Sequence, residues 1–211
     1  MLYNISKFTT TSVIIGLILL NSCSTFMIDR SVKYNKDKVL SNISATDESY
    51  KDLETLLYVD IKDQNMYLLK KGTIYNVFKI SSSYYGTGSE VNSLKTPLGK
   101  HKIYKKIGKT LPINAILKGR VWNGAIANVI TEEVDTDFDH VTSRILWLDG
   151  LEIGKNKGPG VDSRSRYIYI HGTAEEGLIG QPASDGCIRM YNSDVIDLFD
   201  LVDETDQVWI Y

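Results

Sequence analysis

The chain has 211 residues, of which 43% are hydrophobic and 24% are charged, and this composition suits one globular domain with a core of its own. The formal net charge of −2 and the pI near 5.9 exclude the strongly basic surface on which nucleic-acid binding depends. We therefore expect no nucleic-acid partner.

Residues 1–22 have the features of a signal peptide. The apolar run Val13–Leu20 is too short to cross a bilayer, which takes roughly 20 residues, and it ends at Leu20-Asn21-Ser22-Cys23. This ending resembles the lipobox of bacterial lipoproteins, which implies that Cys23 is lipidated and becomes the mature N-terminus. A plain secretory signal is the alternative. The resemblance implies a periplasm-facing protein anchored in the cell envelope, in the outer membrane if the source is Gram-negative.

The segment that follows is polar and weakly patterned. We interpret residues 23–52 as the lipidated N-terminus and a flexible tether, and residues 53–211 as the folded domain.

Short segments rich in β-branched and aromatic residues predict a mainly β, largely antiparallel domain with one or two short helices. Lys71-Gly72 separates two of these segments at the distance of a hairpin. The clearest helix begins at Asn192 or Ser193, either of which is a good N-cap residue. The predicted strands are Leu56–Ile61, Met66–Lys70, Thr73–Ser83, Lys102–Lys105, Arg144–Leu148, Arg166–His171 and Gln207–Tyr211.

The strands of residues 86–97 and 108–139 are hard to place, because these segments are rich in Gly, Asn, Asp and Thr. Long connections in a small domain are often functional, so we expect them to border a cleft or to cover it.

Cys187 and His171 are the residues best suited to chemistry. Lipidation of Cys23 would leave Cys187 without a disulfide partner, so it is either a buried inert thiol or a functional one. A nucleophilic cysteine needs a base, and His171 ends a predicted strand before a glycine, whereas His101 and His140 lie in charged segments. Gly186 permits a tight turn before Cys187, whose amides could bind an oxyanion.

The sequences Ile-His-Gly-Thr (170–173) and Ser-Asp-Gly-Cys-Ile-Arg-Met (184–190) resemble the catalytic motif of the L,D-transpeptidases, the YkuD-type domain. The similarity extends over most of residues 55–211 and implies a β-sandwich-like fold. It also implies a cysteine acyltransferase that acts on tetrapeptide stems of peptidoglycan and releases D-alanine. The acyl group then passes to a second stem, giving a 3-3 crosslink, or to an envelope protein.

The resemblance assigns a role to each matching residue. It implies Cys187 as nucleophile, His171 as general base and acid, and the Gly172 carbonyl as the group that orients the imidazole. The Gly186 and Cys187 amides would form the oxyanion hole. Three residues would bind substrate or support the site, namely Tyr169, Ser184 and Arg189.

Two alternatives stay open: an L,D-carboxypeptidase or amidase that hydrolyses the same bond, and a non-catalytic lipoprotein that binds peptidoglycan. The second is motivated by Asp185, because the family usually has histidine there, and a carboxylate so close could raise the pKa of the thiol. We expect no cofactor, and no ligand spacing suggests a metal site.

Overall fold

The computed structural model describes residues 32–211, so the predicted signal peptide and Cys23 lie outside the described residues. No helix in this range is both long and apolar enough to span a bilayer. Short 3-10 turns occur at Glu48–Asp52 and Glu176–Leu178. The helices and strands are α1 (Lys36–Thr46), β1 (Thr55–Asp60), β2 (Asn65–Lys70), β3 (Thr73–Lys79), β4 (Gly99–Ile107), β5 (Ala115–Lys118), β6 (Val121–Ile126), β7 (Val141–Gly150), β8 (Tyr169–Thr173), β9 (Ile188–Met190), α2 (Asn192–Leu201) and β10 (Gln207–Ile210).

The predicted mainly β fold is confirmed. The strands follow the order β3-β2-β1-β10-β4-β7-β5-β6, and β8 adds to β7 and carries β9 on its other edge. Most neighbours are antiparallel, but β1 with β10 and β8 with β9 are parallel. Beyond β3 the chain bends so that Ser81 exchanges two backbone hydrogen bonds with Arg189 in β9. The two ends of the sheet therefore meet.

This curvature encloses the main hydrophobic core. One face of strands β1, β2, β4, β7, β8, β9 and β10 packs around α2, whose Val195, Leu198 and Phe199 are buried among them. Alternation along the strands sends every second residue into this core, as the period of two requires. Because Ile170 and Ile188 point into it, their neighbours in β8 and β9 point to the opposite face.

Part of the predicted tether is folded onto the domain. Residues 36–46 form α1, capped by the side chain of Asn35, and Val39 and Ile43 are buried in a second core on the outer face of β1, β2 and β10. Three apolar residues of the described part of this segment are buried in this core, Tyr50 being the third, and Leu40 packs against it partly buried. They are too few to give a clear helical pattern.

Other local predictions differ in detail. Lys71 and Gly72 both have positive φ and form the expected two-residue hairpin. The α2 prediction is confirmed, but its N-cap residue is Tyr191, because the Asn192 side chain is used in other hydrogen bonds. The strand predicted to begin at Arg166 begins at Tyr169, since Tyr167 has a left-handed φ of 59° that interrupts an extended strand.

Candidate active site

Strands β8 and β9 bring the motif residues together. His171 lies level with Arg189 in the parallel register, and the Tyr169 amide donates to Cys187 Sγ at 3.4 Å. Cys187 and His171 are thus diagonal neighbours on adjacent strands, one strand repeat apart. The face opposite the core carries Tyr169, His171, Cys187 and Arg189.

The imidazole of His171 is 1% exposed, and its Nδ1 lies 2.7 Å from the Gly172 carbonyl oxygen. A carbonyl can only accept, so Nδ1 carries the proton and Nε2 keeps its lone pair. Burial lowers the pKa of His171, against the charge of Asp139 and the Gly172 hydrogen bond, which raise it. The structure therefore holds a neutral imidazole in one tautomer.

The side chain of Cys187 packs with the aliphatic and aromatic residues around Tyr169. Its Sγ lies 3.5 Å from the Tyr167 carbonyl oxygen, a donor contact for a protonated thiol. Burial raises the pKa of Cys187 to about 12, and the charge of Asp139 acts in the same direction. Arg189 and Arg166 lower it without offsetting the burial. In this arrangement the thiol is protonated at neutral pH.

Ser184 holds the turn that leads to the cysteine. It is fully buried, its hydroxyl donates to the Cys187 carbonyl at 2.6 Å, and it accepts from the Gly186 amide at 3.2 Å. Gly186 has φ 115°, which only glycine adopts readily, and its carbonyl accepts from Thr96. The geometry thus gives Ser184 a part in shaping the turn, and it engages one of the two amides that the sequence assigned to an oxyanion hole.

Arg189 is 2% exposed and is enclosed by two carboxylates, both at 2.9 Å: Glu175, which is also buried, and Asp139, from the loop before β7. Glu175 also accepts from the amide and hydroxyl of Thr136 in that loop. Arg189 therefore joins β9, the end of β8 and the loop. This geometry favours the supporting role of Arg189 over direct binding of a substrate carboxylate.

Asn192 fixes the backbone around the histidine. Its side-chain amide donates to the Thr173 carbonyl at 2.7 Å, and its oxygen accepts from two hydroxyls of β7, those of Thr142 and Ser143, each at 2.6 Å. A Cβ at Gly172 would lie 2.6 Å from that oxygen and 2.9 Å from the Thr142 carbonyl oxygen. Gly172 is therefore required for the close packing that places its carbonyl against His171.

A cavity of about 220 Å³ lies beside the site, lined in part by Leu94, Arg166, Tyr167 and Asp185. Arg166 donates to the Lys95 carbonyl at 2.7 Å, and its charge acts on Cys187. A larger cavity of about 340 Å³ lies along α1 and is lined by none of the motif residues.

The other two histidines are not in the site. His101 is fully buried and bonded to the Gly99 carbonyl and to Ser163, while His140 stacks on Phe138. Within residues 32–211 no cluster of three His, Cys, Asp or Glu side chains is placed to hold a metal ion.

Sequence reasoning missed several residues around the motif. Glu175 and Asn192 lie close to it in the sequence, so their proximity was a usable signal. Asp139, Arg120 and Arg166 lie in loops, where no local pattern indicates what they contact.

The fold and this site define a mainly β domain that carries a cysteine and an oriented histidine on adjacent parallel strands. The family model of the L,D-transpeptidase catalytic domain, YkuD, matches residues 54–210. The chain therefore belongs to the L,D-transpeptidase catalytic domain family. No curated protein sequence matches it.

Solved structures of L,D-transpeptidases are similar to part of this chain at low sequence identity. L,D-transpeptidase 3 from Mycobacterium tuberculosis is 14% identical with a TM-score of 0.48, covering 75% of this chain and 61% of its own. The enzyme from Xylanimonas cellulosilytica is 16% identical with a TM-score of 0.43, covering 75% and 61%. A mutant L,D-transpeptidase from Enterococcus faecium is 19% identical with a TM-score of 0.43, covering 75% and 50%. The chain thus spans about six tenths or less of the length of these structures.

Proposed function

We propose that this protein is a peptidoglycan L,D-transpeptidase that works through a thioacyl intermediate on Cys187. The observation that carries the proposal is the fixed tautomer of His171, whose unprotonated Nε2 lies on the same face of the sheet as the thiol. Membership of the family supports the reaction class. The proposed substrate is the tetrapeptide stem of peptidoglycan.

In the proposed first step, Cys187 Sγ attacks the carbonyl carbon at the L-centre of the stem diamino acid. His171 Nε2 takes the thiol proton and delivers it to the nitrogen of the departing D-alanine. The C–N bond breaks and a thioester forms. In the second step an incoming amine attacks the thioester, His171 takes its proton, and the thiol is regenerated. A second stem as acceptor gives a 3-3 crosslink, and an envelope protein as acceptor becomes attached.

The protonation states favour proton transfer during attack over a preformed ion pair. Burial raises the pKa of Cys187 and lowers that of His171, so both groups are neutral before substrate binds. The imidazolium that forms in the step is stabilised by the Gly172 carbonyl at Nδ1 and by the charge of Asp139. Since the Gly186 amide is bonded to Ser184, we assign the tetrahedral oxyanion to the Cys187 amide.

We further propose that Cys23 carries the lipid and that the catalytic domain faces the periplasm from the cell envelope. The proposal rests on the lipobox-like sequence before Cys23. A Cys23→Ser variant should be absent from the membrane fraction while keeping its activity. Its retention in the membrane fraction would contradict the proposal of a lipid anchor.

The test of the activity is mass spectrometry of tetrapeptide muropeptides after incubation with the full chain. The matched variants are Cys187→Ala, which removes the proposed nucleophile, and Cys23→Ser, which removes the other cysteine. Dimers that lack one D-alanine and depend on Cys187 but not on Cys23 are the expected products. Tripeptide monomers alone would move the assignment to hydrolysis. Identical products with and without Cys187 would overturn the proposal.

A further inference from the structure

Strands β5 and β6 form a hairpin with a strained arginine at its tip. Gly119 and Arg120 occupy the two-residue loop with φ of 58° and 70°. Glycine accepts this backbone readily, but an arginine there is uncommon and costs conformational energy. Such strain often accompanies a functional placement of the side chain.

The guanidinium of Arg120 lies over an aromatic surface. Its Cζ is 4.7 Å from the ring centroid of Trp147 and 5.0 Å from that of Tyr167, and Nη1 donates to the Tyr169 hydroxyl at 3.0 Å. Two cation–π contacts and one hydrogen bond therefore fix the position of the fork.

Two of these residues also contact the thiol through their backbones. The Tyr169 amide lies 3.4 Å from Cys187 Sγ, and the Tyr167 carbonyl oxygen lies 3.5 Å from it. Arg120 and Cys187 therefore share Tyr167 and Tyr169 as neighbours. The cations that act on the thiol itself are Arg189 and Arg166, so the placement of Arg120 suits contact with a ligand better than activation of the cysteine.

Arg120 differs from the other arginines of the site in its charge balance. Arg189 is neutralised by two carboxylates, whereas no carboxylate within residues 32–211 forms an ion pair with Arg120. The Tyr169 hydroxyl beneath it, whose pKa is raised by burial, is an uncharged acceptor at neutral pH. A half-buried guanidinium with free donors and no counter-charge is suited to bind a carboxylate in bidentate fashion.

We propose that Arg120 binds a carboxylate of the peptide donor and so selects acidic peptides and positions them against Cys187. This inference rests on the proposed function for the identity of the peptide. The carboxylate is either the C-terminal one, on the departing residue, or one on an internal residue of the stem. Both present the same planar group to the fork.

The test is calorimetric binding to the full chain carrying Cys187→Ala, which prevents turnover. The ligands are a stem tetrapeptide with a free C-terminus and the same peptide as its C-terminal amide. Arg120→Asn removes the fork while keeping a residue that tolerates a left-handed backbone, and Arg120→Lys keeps the charge without the fork. The matched control is Arg164→Asn, because Arg164 also stacks on an aromatic ring, that of Tyr104.

We expect Arg120→Asn to weaken binding of the free-acid peptide about 10- to 100-fold, as for loss of hydrogen bonds between charged groups. The dissociation constant of Arg120→Lys should lie between those of the parent and of Arg120→Asn. Arg164→Asn should change the dissociation constant less than about twofold, as for a surface site. If amidation of the peptide abolishes the dependence on Arg120, the C-terminal carboxylate is the partner. If the dependence persists with the amide, the partner is an internal carboxylate, and the inference stands in either case.

A dissociation constant unchanged by Arg120→Asn would overturn the inference, and so would a parent protein that binds neither peptide. The muropeptide assay judges the proposed function separately. Binding that depends on Arg120 without any product would refute the transpeptidase and keep the carboxylate site. Product formation with a KM that is the same with and without Arg120 would support the transpeptidase and refute the carboxylate site.

Discussion

The ionisation of Cys187 provides the sharpest test of the proposed mechanism. The thiol has a pKa of about 12 against an ordinary 9.0, mainly because partial burial disfavours its charged form, and the charge of Asp139 adds to the effect. A rise of three units lowers the thiolate population at pH 7 about 1,000-fold relative to an exposed cysteine. The free protein should therefore react slowly with thiol reagents, although the proposed nucleophile is intact.

The assay is the rate of alkylation by iodoacetamide between pH 6 and 11, with thiolate absorbance near 240 nm as a second readout. Subtracting the signal of the Cys187→Ala variant removes the contribution of Cys23. We expect the Cys187 rate to climb about tenfold per pH unit through pH 10 without a plateau, as the thiolate fraction of a high-pKa group must. A plateau with a midpoint near pH 7 would refute a neutral resting pair.

The contribution of Asp139 can be isolated by substitution. Asp139→Asn removes a charge that raises the pKa of the thiol and leaves Arg189 with one carboxylate partner fewer, and both changes favour the thiolate. Alkylation at a fixed pH should therefore be faster. Asp137→Asn, from the same acidic loop, is the control and should leave the rate unchanged. A slower reaction of Asp139→Asn would contradict the assignment.

Four further outcomes follow from the site. Arg189→Met strands the buried carboxylate of Glu175 and should cost about 3–5 kcal/mol in urea unfolding, most of which the added change Glu175→Gln should restore. Gly172→Ala forces apart the packing that holds the histidine and should cost about 1–3 kcal/mol in unfolding and lower kcat. Because burial lowers the pKa of His171, kcat/KM should hold below pH 6.5 and fall only in more acid solution. Asp185→His should move the thiol pKa by less than about half a unit, since the exposed side chain is screened by water.

Each of these outcomes has a result that would contradict it. Arg164→Met, at an exposed arginine, should lower the free energy of unfolding by under about 1 kcal/mol. If Arg189→Met lowered it by no more than this, the buried ion pair would contribute little to stability. Full activity and stability of Gly172→Ala would show that the packing tolerates a methyl group. A fall in kcat/KM that begins above pH 6.5 as the solution is acidified would mean that the imidazole is stabilised as a cation. A large shift of the thiol pKa in Asp185→His would place that carboxylate against the sulfur.

The fold was predictable where residues repeat at a clear period. The strands of β1, β2 and β7 are runs of apolar and aromatic residues, and Lys71-Gly72 is a recognisable turn. Strand β6 was missed because all of it faces solvent, and β5 was missed because its alternation of buried and exposed residues extends over only four positions. Helix α1 was missed because only two of its residues are buried and the stabilising surface belongs to the sheet.

The candidate site was predictable only along the strands that carry the motif. His171 and Cys187 are recognised by their sequence neighbours, and the Gly172 carbonyl contact, which the resemblance to the family implied, is present in the structure. The ion pair of Arg189 with Asp139 depends on how a long loop returns over β9, which is a tertiary event without a local signature. The same holds for Arg120, whose contacts come from a hairpin with no pattern of its own.

The negative charge near the sulfur shows why the contacts made by loops, which the sequence does not predict, matter for the site. The sequence drew attention to Asp185, two residues before Cys187, as the carboxylate expected to oppose thiolate formation. Asp185 and Asp139 are both exposed, but the carboxylate that raises the pKa of the thiol is that of Asp139, whose Oδ2 lies 2.9 Å from Arg189 Nη2. The same contact reduces the positive field of Arg189 at the sulfur. Asp139 therefore opposes the thiolate by its own charge and by neutralising a cation, in addition to burial, which is the largest cause of the raised pKa.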